Sequence, residues 1–173
     1  MTTDTLQLSA LVLSRKKTIA IISALLLTIF TAPDSNAAAT QADVDYSQAM
    51  IGLTAKFQAA SENFSKVATK PPTWAVGKSY NNWKGKATKS SDAMLATISA
   101  LSAVSATDGF ATSHPLLTKA LADFKTGITL AKAAIKKNDS KKMAKANDSI
   151  LKANSSWAAW TAAYEADVAT LNG

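Results

Sequence analysis

Residues 115–137 read PLLTKALADFKTGITLAKAAIKK, and this stretch decides the fold. Its apolar positions alternate at intervals of four and three: Leu117, Leu121, Phe124, Ile128, Ala131 and Ile135. This spacing places the apolar side chains on one face of an α-helix. Pro115 suits the first turn of such a helix, because the N–H that proline lacks has no intrahelical partner there. The stretch therefore predicts an amphipathic helix at about 115–137.

A second helix is predicted directly after it, at about 140–171. Its apolar stripe consists of Met143, Ala146, Ile150, Trp157, Thr161, Tyr164, Val168 and Leu171. Asp139 or Ser140 suits the N-cap. Trp157 is predicted to lie in the core, and Trp160 to be partly exposed or packed at the edge of the stripe. Because the connection is short, we expect the two helices to pack side by side in opposite directions.

Two further helices are predicted upstream, at about 40–69 and 83–105. Thr40 followed by Asp43 resembles a capping box at the start of the first. Residues 70–82 contain two prolines, a glycine and two asparagines, which is typical of a loop. Asn82 is then the expected N-cap of the 83–105 helix, although Gly85 in the first turn costs about 1 kcal/mol relative to alanine.

The predicted fold class is all-α. Four helices, each with one apolar stripe, bury those stripes most economically as an antiparallel up-down-up-down four-helix bundle. The chain of 173 residues contains no cysteine. Disulfides, thiolate metal sites and covalent haem attachment through cysteine are therefore excluded. We expect a single domain at 38–173, stabilised by its apolar core.

The N-terminal segment predicts export. Arg15, Lys16 and Lys17 precede an almost wholly apolar run at 18–30, and small residues follow around Ala37. The run is shorter than the roughly 20 residues that span a bilayer. We therefore expect residues 1–37 to be a cleaved signal peptide and the protein to be periplasmic or secreted. Removing them takes away three basic and two acidic residues, which leaves a net charge of +6.

The residues favour neither catalysis nor a metal site. His114 is the only histidine, and it is predicted to lie exposed at the cap of the third helix. A nucleophile, a general base and an orienting acid are not found together. We expect no enzymatic activity, no metal and no cofactor. The open alternative is a cytochrome-like bundle with Met50 and His114 as haem ligands, but Met50 is better interpreted as a core residue.

Lysines concentrate where the first loop and the last short connection are expected to meet. Helix C-termini favour cations, so lysines ending helices one and three need no function. Lysines near the start of helices two and four lie instead where acidic residues are preferred. We call the following residues the lysine-rich pole: Lys78, Lys84, Lys86, Lys89, Lys136, Lys137, Lys141, Lys142 and Lys145.

Trp74, Tyr80 and Trp83 are interleaved with these lysines and complete the predicted site. Such a mixture suits a headgroup interface or stacking on a sugar. The expected function is binding of an anionic membrane surface, a polysaccharide or an acidic protein by the lysine-rich pole. Nucleic acid is not the expected partner outside the cytoplasm. A membrane-active toxin or effector, whose bundle opens onto lipid, is the other alternative.

Overall fold

The computed structural model describes residues 39–68 and 77–172 and is all-helical there. Its four helices are α1 (Gln41–Ala68), α2 (Gly77–Ser102), α3 (His114–Lys137) and α4 (Ser140–Leu171). A short 3₁₀ turn, Asp108–Phe110, lies between α2 and α3. The predicted all-α class is confirmed. The predicted signal peptide and Trp74 lie outside the described residues.

The ends of α1 and α4 use the predicted capping residues. The Thr40 N–H donates to Asp43 Oδ2 at 2.9 Å, and the Asp43 N–H donates to Thr40 Oγ1 at 3.2 Å. This is a capping box in which aspartate replaces glutamate. At the start of α4, the side chain of Asp139 accepts a hydrogen bond from the Lys142 N–H at 2.8 Å. Both helix starts therefore follow from residues visible in the sequence.

The connection between α3 and α4 consists of Asn138 and Asp139. Asn138 adopts a left-handed conformation with φ 52° and ψ 47°, and its N–H bonds to the Ala134 carbonyl. Asparagine tolerates this conformation better than most residues with a side chain. One left-handed residue followed by an N-cap thus ends α3 and begins α4 without further loop residues.

The predicted start of the second helix is wrong. α2 begins at Gly77 rather than near Trp83, so Asn82 lies inside the helix instead of capping it. The buried side chains of Tyr80, Trp83 and Ala87 recur at helical spacing along this extension. Their packing outweighs the local preference of glycine and asparagine for turns, which is a weak signal. The helix ends at Ser102, earlier than predicted.

Large aromatic side chains fill the space between α1, α3 and α4. The ring of Phe57 lies 5.0 Å from Trp157 and 5.1 Å from Phe124. Trp160 packs 4.6 Å from Trp157 and is fully buried, so of the two positions predicted for it the partly exposed one is wrong. Met50 is fully buried, as predicted. From α2 the core receives Ala87, Met94, Ile98 and Leu101.

Among the described residues, α3 and α4 form the most extensive helix–helix contact. Gly127 permits this approach, because a Cβ there would meet Ile150 Cγ1 at 2.6 Å and the Ala146 carbonyl at 3.2 Å. Close contacts also join α1 to α2 and α2 to α3. The indole N–H of Trp83 donates to the Val67 carbonyl at 2.8 Å, which places the start of α2 beside the end of α1.

Candidate anion-binding site

Four lysines of the lysine-rich pole lie in the N-terminal half of α2. Lys78, Lys86 and Lys89 are exposed, and Lys84 is half-buried. The first turn of α2 contains no acidic residue. The positive end of a helix dipole favours anions, so this arrangement leaves the N-terminus of α2 electrostatically suited to a negatively charged partner.

The other five lysines of the pole surround the connection between α3 and α4. Lys136 and Lys137 form the last turn of α3, and Lys141, Lys142 and Lys145 lie in the first two turns of α4. All are exposed except Lys142, which is half-buried. The two-residue connection keeps these five positive charges close together.

Acidic partners are scarce around these lysines. Lys142 Nζ lies 3.7 Å from Asp139 Oδ2, and the neighbouring Lys132 pairs with Asp92 of α2. Across residues 39–68 and 77–172, no carboxylate lies within 4.0 Å of the remaining eight lysines of the pole. Most of the positive charge of the pole is therefore not paired with a carboxylate in the part of the chain that the structure describes.

Two aromatic residues of the predicted site, Tyr80 and Trp83, are packing residues rather than exposed ones. Tyr80 and Trp83 are each 8% exposed, and their rings stack at 5.5 Å. The Trp83 indole already donates its N–H to Val67. Lys84 Nζ lies 5.5 Å from the centre of the Tyr80 ring, a cation–π distance. These two rings hold α2 against α1 and offer little surface for stacking on a ligand.

Polar side chains in a second region contact one another instead of solvent. Asp43 is 4% exposed, and its carboxylate accepts hydrogen bonds from Thr40 and, at 2.6 Å, from the Thr107 hydroxyl. The contact with Thr107 joins the start of α1 to the connection between α2 and α3. Asp167 near the end of α4 accepts the Ser113 N–H at 2.9 Å, just before α3 begins.

His114 belongs to this second region. Its Nδ1 lies 3.0 Å from the Tyr46 hydroxyl, and the imidazole is half-buried. The prediction that His114 would be exposed is therefore wrong, because Tyr46 and Phe110 pack together beside it. Sequence spacing revealed only the local Thr40–Asp43 pair. We name the following residues the polar clasp: Thr40, Asp43, Tyr46, Thr107, Ser113, His114 and Asp167.

Burial and hydrogen bonding shift the pKa values of three groups in the polar clasp. Burial alone would raise the pKa of Asp43, but hydrogen bonds from Thr107 and Thr40 outweigh it and lower that pKa. Burial lowers the pKa of His114 and raises that of Tyr46 far above its usual range. The folded state therefore favours a charged Asp43 beside a neutral His114 and a neutral phenol.

Within the part of the chain that the structure describes, no three acidic, histidine or cysteine side chains are grouped as metal ligands. No helix of residues 39–68 and 77–172 is both long and apolar enough to cross a bilayer. No protein-family model, curated protein or solved structure matches this chain. The lysine-rich pole is the one candidate site that both its exposure and its charge support.

Proposed function

We propose that this chain is an exported, non-enzymatic protein that binds an anionic surface or partner through the lysine-rich pole. In this proposal residues 1–37 are a cleaved signal peptide, and residues 38–173 form one up-down-up-down bundle without a cofactor. The partner is an anionic membrane surface, an acidic polysaccharide or an acidic protein. The protein acts in the periplasm or outside the cell.

Contacts between helix ends support the up-down arrangement. The end of α1 contacts the start of α2 through Val67 and Trp83, and the end of α4 contacts the residue before α3 through Asp167. Lys119 of α3 donates to Ser156 of α4 at 2.8 Å. Such an arrangement gathers the end of α1, the start of α2 and the α3–α4 connection at one end of the bundle.

The observation that carries the proposal is the position of unpaired lysines at helix starts. Lys78 and Lys141 are exposed in the first turns of α2 and α4, where a cation forgoes about 0.3–1 kcal/mol. Acidic residues would stabilise these helices better. A lysine-rich surface that costs stability is explained by a benefit outside folding, which an anionic partner provides.

The proposal is tested by measuring how the purified protein binds vesicles of phosphatidylglycerol and phosphatidylcholine, and an immobilised acidic polysaccharide, over a range of salt concentrations. Binding is expected to weaken steeply as salt rises, because salt screens exposed charges. Substituting Lys84, Lys86, Lys141 and Lys142 together by glutamine should weaken it. Binding that does not depend on salt would contradict the proposal.

A matched pair of double variants separates the lysine-rich pole from overall charge. Lys86→Gln/Lys141→Gln removes two charges from the pole, and Lys56→Gln/Lys152→Gln removes two charges elsewhere. We expect the first to weaken binding and the second to leave it nearly unchanged. Equal losses in both variants would mean that only the net charge matters, and the assignment of the pole would fail.

A further inference from the structure

The positive charge of the protein is divided unequally among its helices. α2 and α3 together contain nine lysines and two acidic residues. α1 and α4 together contain six lysines and six acidic residues, so they are neutral as a pair. The two adjacent helices α2 and α3 therefore carry the net charge. Six of these nine lysines belong to the lysine-rich pole, and Lys119, Lys125 and Lys132 continue the positive charge along α3.

The lysines of α2 and α3 form a continuous face. Lys78 and Lys89 are eleven residues apart, as are Lys125 and Lys136, and eleven residues make three full helical turns. Lys132 lies on the same face of α3 as Lys125, one heptad further on. We name the following residues the lysine face: Lys78, Lys89, Lys125, Lys132 and Lys136.

A contact between the two helices places their rows of lysines nearly end to end. Asp92 lies one turn from Lys89 on α2, and it pairs with Lys132 in the middle of the α3 row. This pair neutralises the one acidic residue beside the face. Asp123, the other acid of these helices, pairs instead with Lys119 of α3 at 3.4 Å and with Lys152 of α4 at 3.6 Å. Four exposed lysines remain without an acidic partner within 4.0 Å among the described residues: Lys78, Lys89, Lys125 and Lys136.

The length of the face matches an extended ligand. At a rise of about 1.5 Å per residue, each row spans about 16 Å. Along the helix axis, Lys89 and Lys78 of α2 lie on one side of the Asp92–Lys132 contact. Lys125 of α3 lies on the other side. Together the rows extend over roughly 30 Å along the helices.

The chemistry of the lysine face favours a ligand with many repeated negative charges over a single anionic group of defined geometry. Arg15 is the only arginine in the chain, and it precedes the predicted mature protein. Lysine ammonium groups act as point charges, whereas arginine recognises single phosphates or carboxylates by paired hydrogen bonds. Leu151 on α4 is the one large apolar side chain exposed among the described residues, so α2 and α3 offer no apolar anchor for a bilayer.

From these observations we infer that the α2–α3 lysine face binds a linear polyanion, a flexible polymer with closely spaced anionic groups that lies along the two helices. The inference rests on the proposed function and specifies its partner. It adds Lys125 and Lys132, which lie outside the lysine-rich pole, and for a polymer it expects the α4 lysines of the pole to contribute less than Lys78, Lys89 and Lys136.

Binding of long-chain inorganic polyphosphate and of tripolyphosphate, at equal total phosphate, tests the inference on the purified protein. The face variant is Lys89→Gln/Lys125→Gln/Lys136→Gln, and the matched α4 variant is Lys141→Gln/Lys142→Gln/Lys145→Gln. Both remove three charges, and glutamine is a good helix former. We expect long-chain binding to exceed tripolyphosphate binding, and the face variant to lose about tenfold or more in affinity. The α4 variant should lose less than about threefold.

The outcomes separate this inference from the proposed function. A larger loss in the α4 variant would overturn the lysine face and leave the lysine-rich pole standing. The protein could instead bind long and short polyphosphate with equal affinity and bind phosphatidylglycerol vesicles tightly and in a salt-dependent way. That result would overturn the linear polyanion as the partner and favour a membrane surface. No binding to any anionic probe would overturn both proposals. Circular dichroism melting of each variant checks that the helices are intact.

Discussion

The polar clasp and the lysine-rich pole use their charged residues in opposite ways. In the clasp, Asp43 is buried and bound by hydroxyl groups from two separate segments. In the pole, Lys78 and Lys141 are exposed at helix starts that would favour acids. The clasp therefore stabilises the fold, and the pole is available to a partner. Under the proposed function, this contrast separates the residues that stabilise the fold from those that bind the partner.

The largest expected change in stability comes from one of two aspartates that cap helices. Asp43→Ala removes a buried carboxylate and leaves Thr107 and Thr40 without their acceptor, so we expect a loss of about 3 kcal/mol in unfolding free energy. Asp139→Ala removes a more exposed, local N-cap beside the pole and should cost clearly less. Urea unfolding followed by circular dichroism measures both. Equal losses would contradict the contrast between the two regions.

Replacing each of two glycines by alanine gives a second comparison, in which the two expected changes in stability have opposite signs. A Cβ at Gly109 would lie 2.6 Å from Asp43 Oδ1 and 3.0 Å from Leu171 Cδ2, so Gly109→Ala should cost about 2 kcal/mol. Nothing lies within 4 Å of a Cβ at Gly85, inside α2. Gly85→Ala should therefore stabilise the protein by about 1 kcal/mol through helix propensity. Thermal unfolding checks both, and a destabilised Gly85→Ala variant would refute the prediction.

Low pH should weaken the polar clasp, as the Asp43→Ala substitution does. The pKa of Asp43 is lowered in the folded state, so its contribution to stability is present above the unfolded pKa of about 3.9. That contribution is lost as the pH falls through the lower folded value. We expect the unfolding free energy to fall more steeply between pH 5 and pH 2 in the unmodified protein than in Asp43→Asn, which cannot titrate there. If the unfolding free energy fell equally steeply with pH in both proteins, Asp43 would be excluded as a source of the acid sensitivity.

The contact between Tyr46 and His114 should contribute less. Tyr46→Phe removes one hydrogen bond and is expected to cost about 1 kcal/mol. Because burial lowers the pKa of His114, NMR titration of this single imidazole should give a value below the usual 6.5. Its contribution to stability is then present above pH 6.5 and declines as the pH falls below it. A His114 pKa at or above 6.5 would contradict its burial.

The smallest expected effect belongs to the lysine-rich pole. Lys78→Gln/Lys141→Gln removes two cations from the first turns of α2 and α4 and should raise the unfolding free energy by about 0.5 kcal/mol. The same variant should bind anionic probes more weakly. A loss of stability would mean that these lysines make structural contacts, and it would remove the argument that they are retained for binding.

Several features of the fold followed from local sequence. The four-three spacing of Leu117, Leu121 and Phe124 identified α3, and Thr40 and Asp139 identified the starts of two helices. Such signals work because helix periodicity and capping involve residues only three or four positions apart. The same local rules failed at α2, where composition suggested a loop up to Asn82 and the burial of Tyr80 extended the helix.

The sequence by itself determined the helical class, the apolar faces and the concentration of lysines, since each depends on residue type and nearby spacing. Only the tertiary structure decided that Trp160 is buried and that Asp92 joins two rows of lysines. It also decided that Thr107 hydrogen-bonds to Asp43 and that Tyr46 hydrogen-bonds to His114. These contacts join residues far apart in the chain. Their formation depends on how the helices pack, which no local pattern specifies.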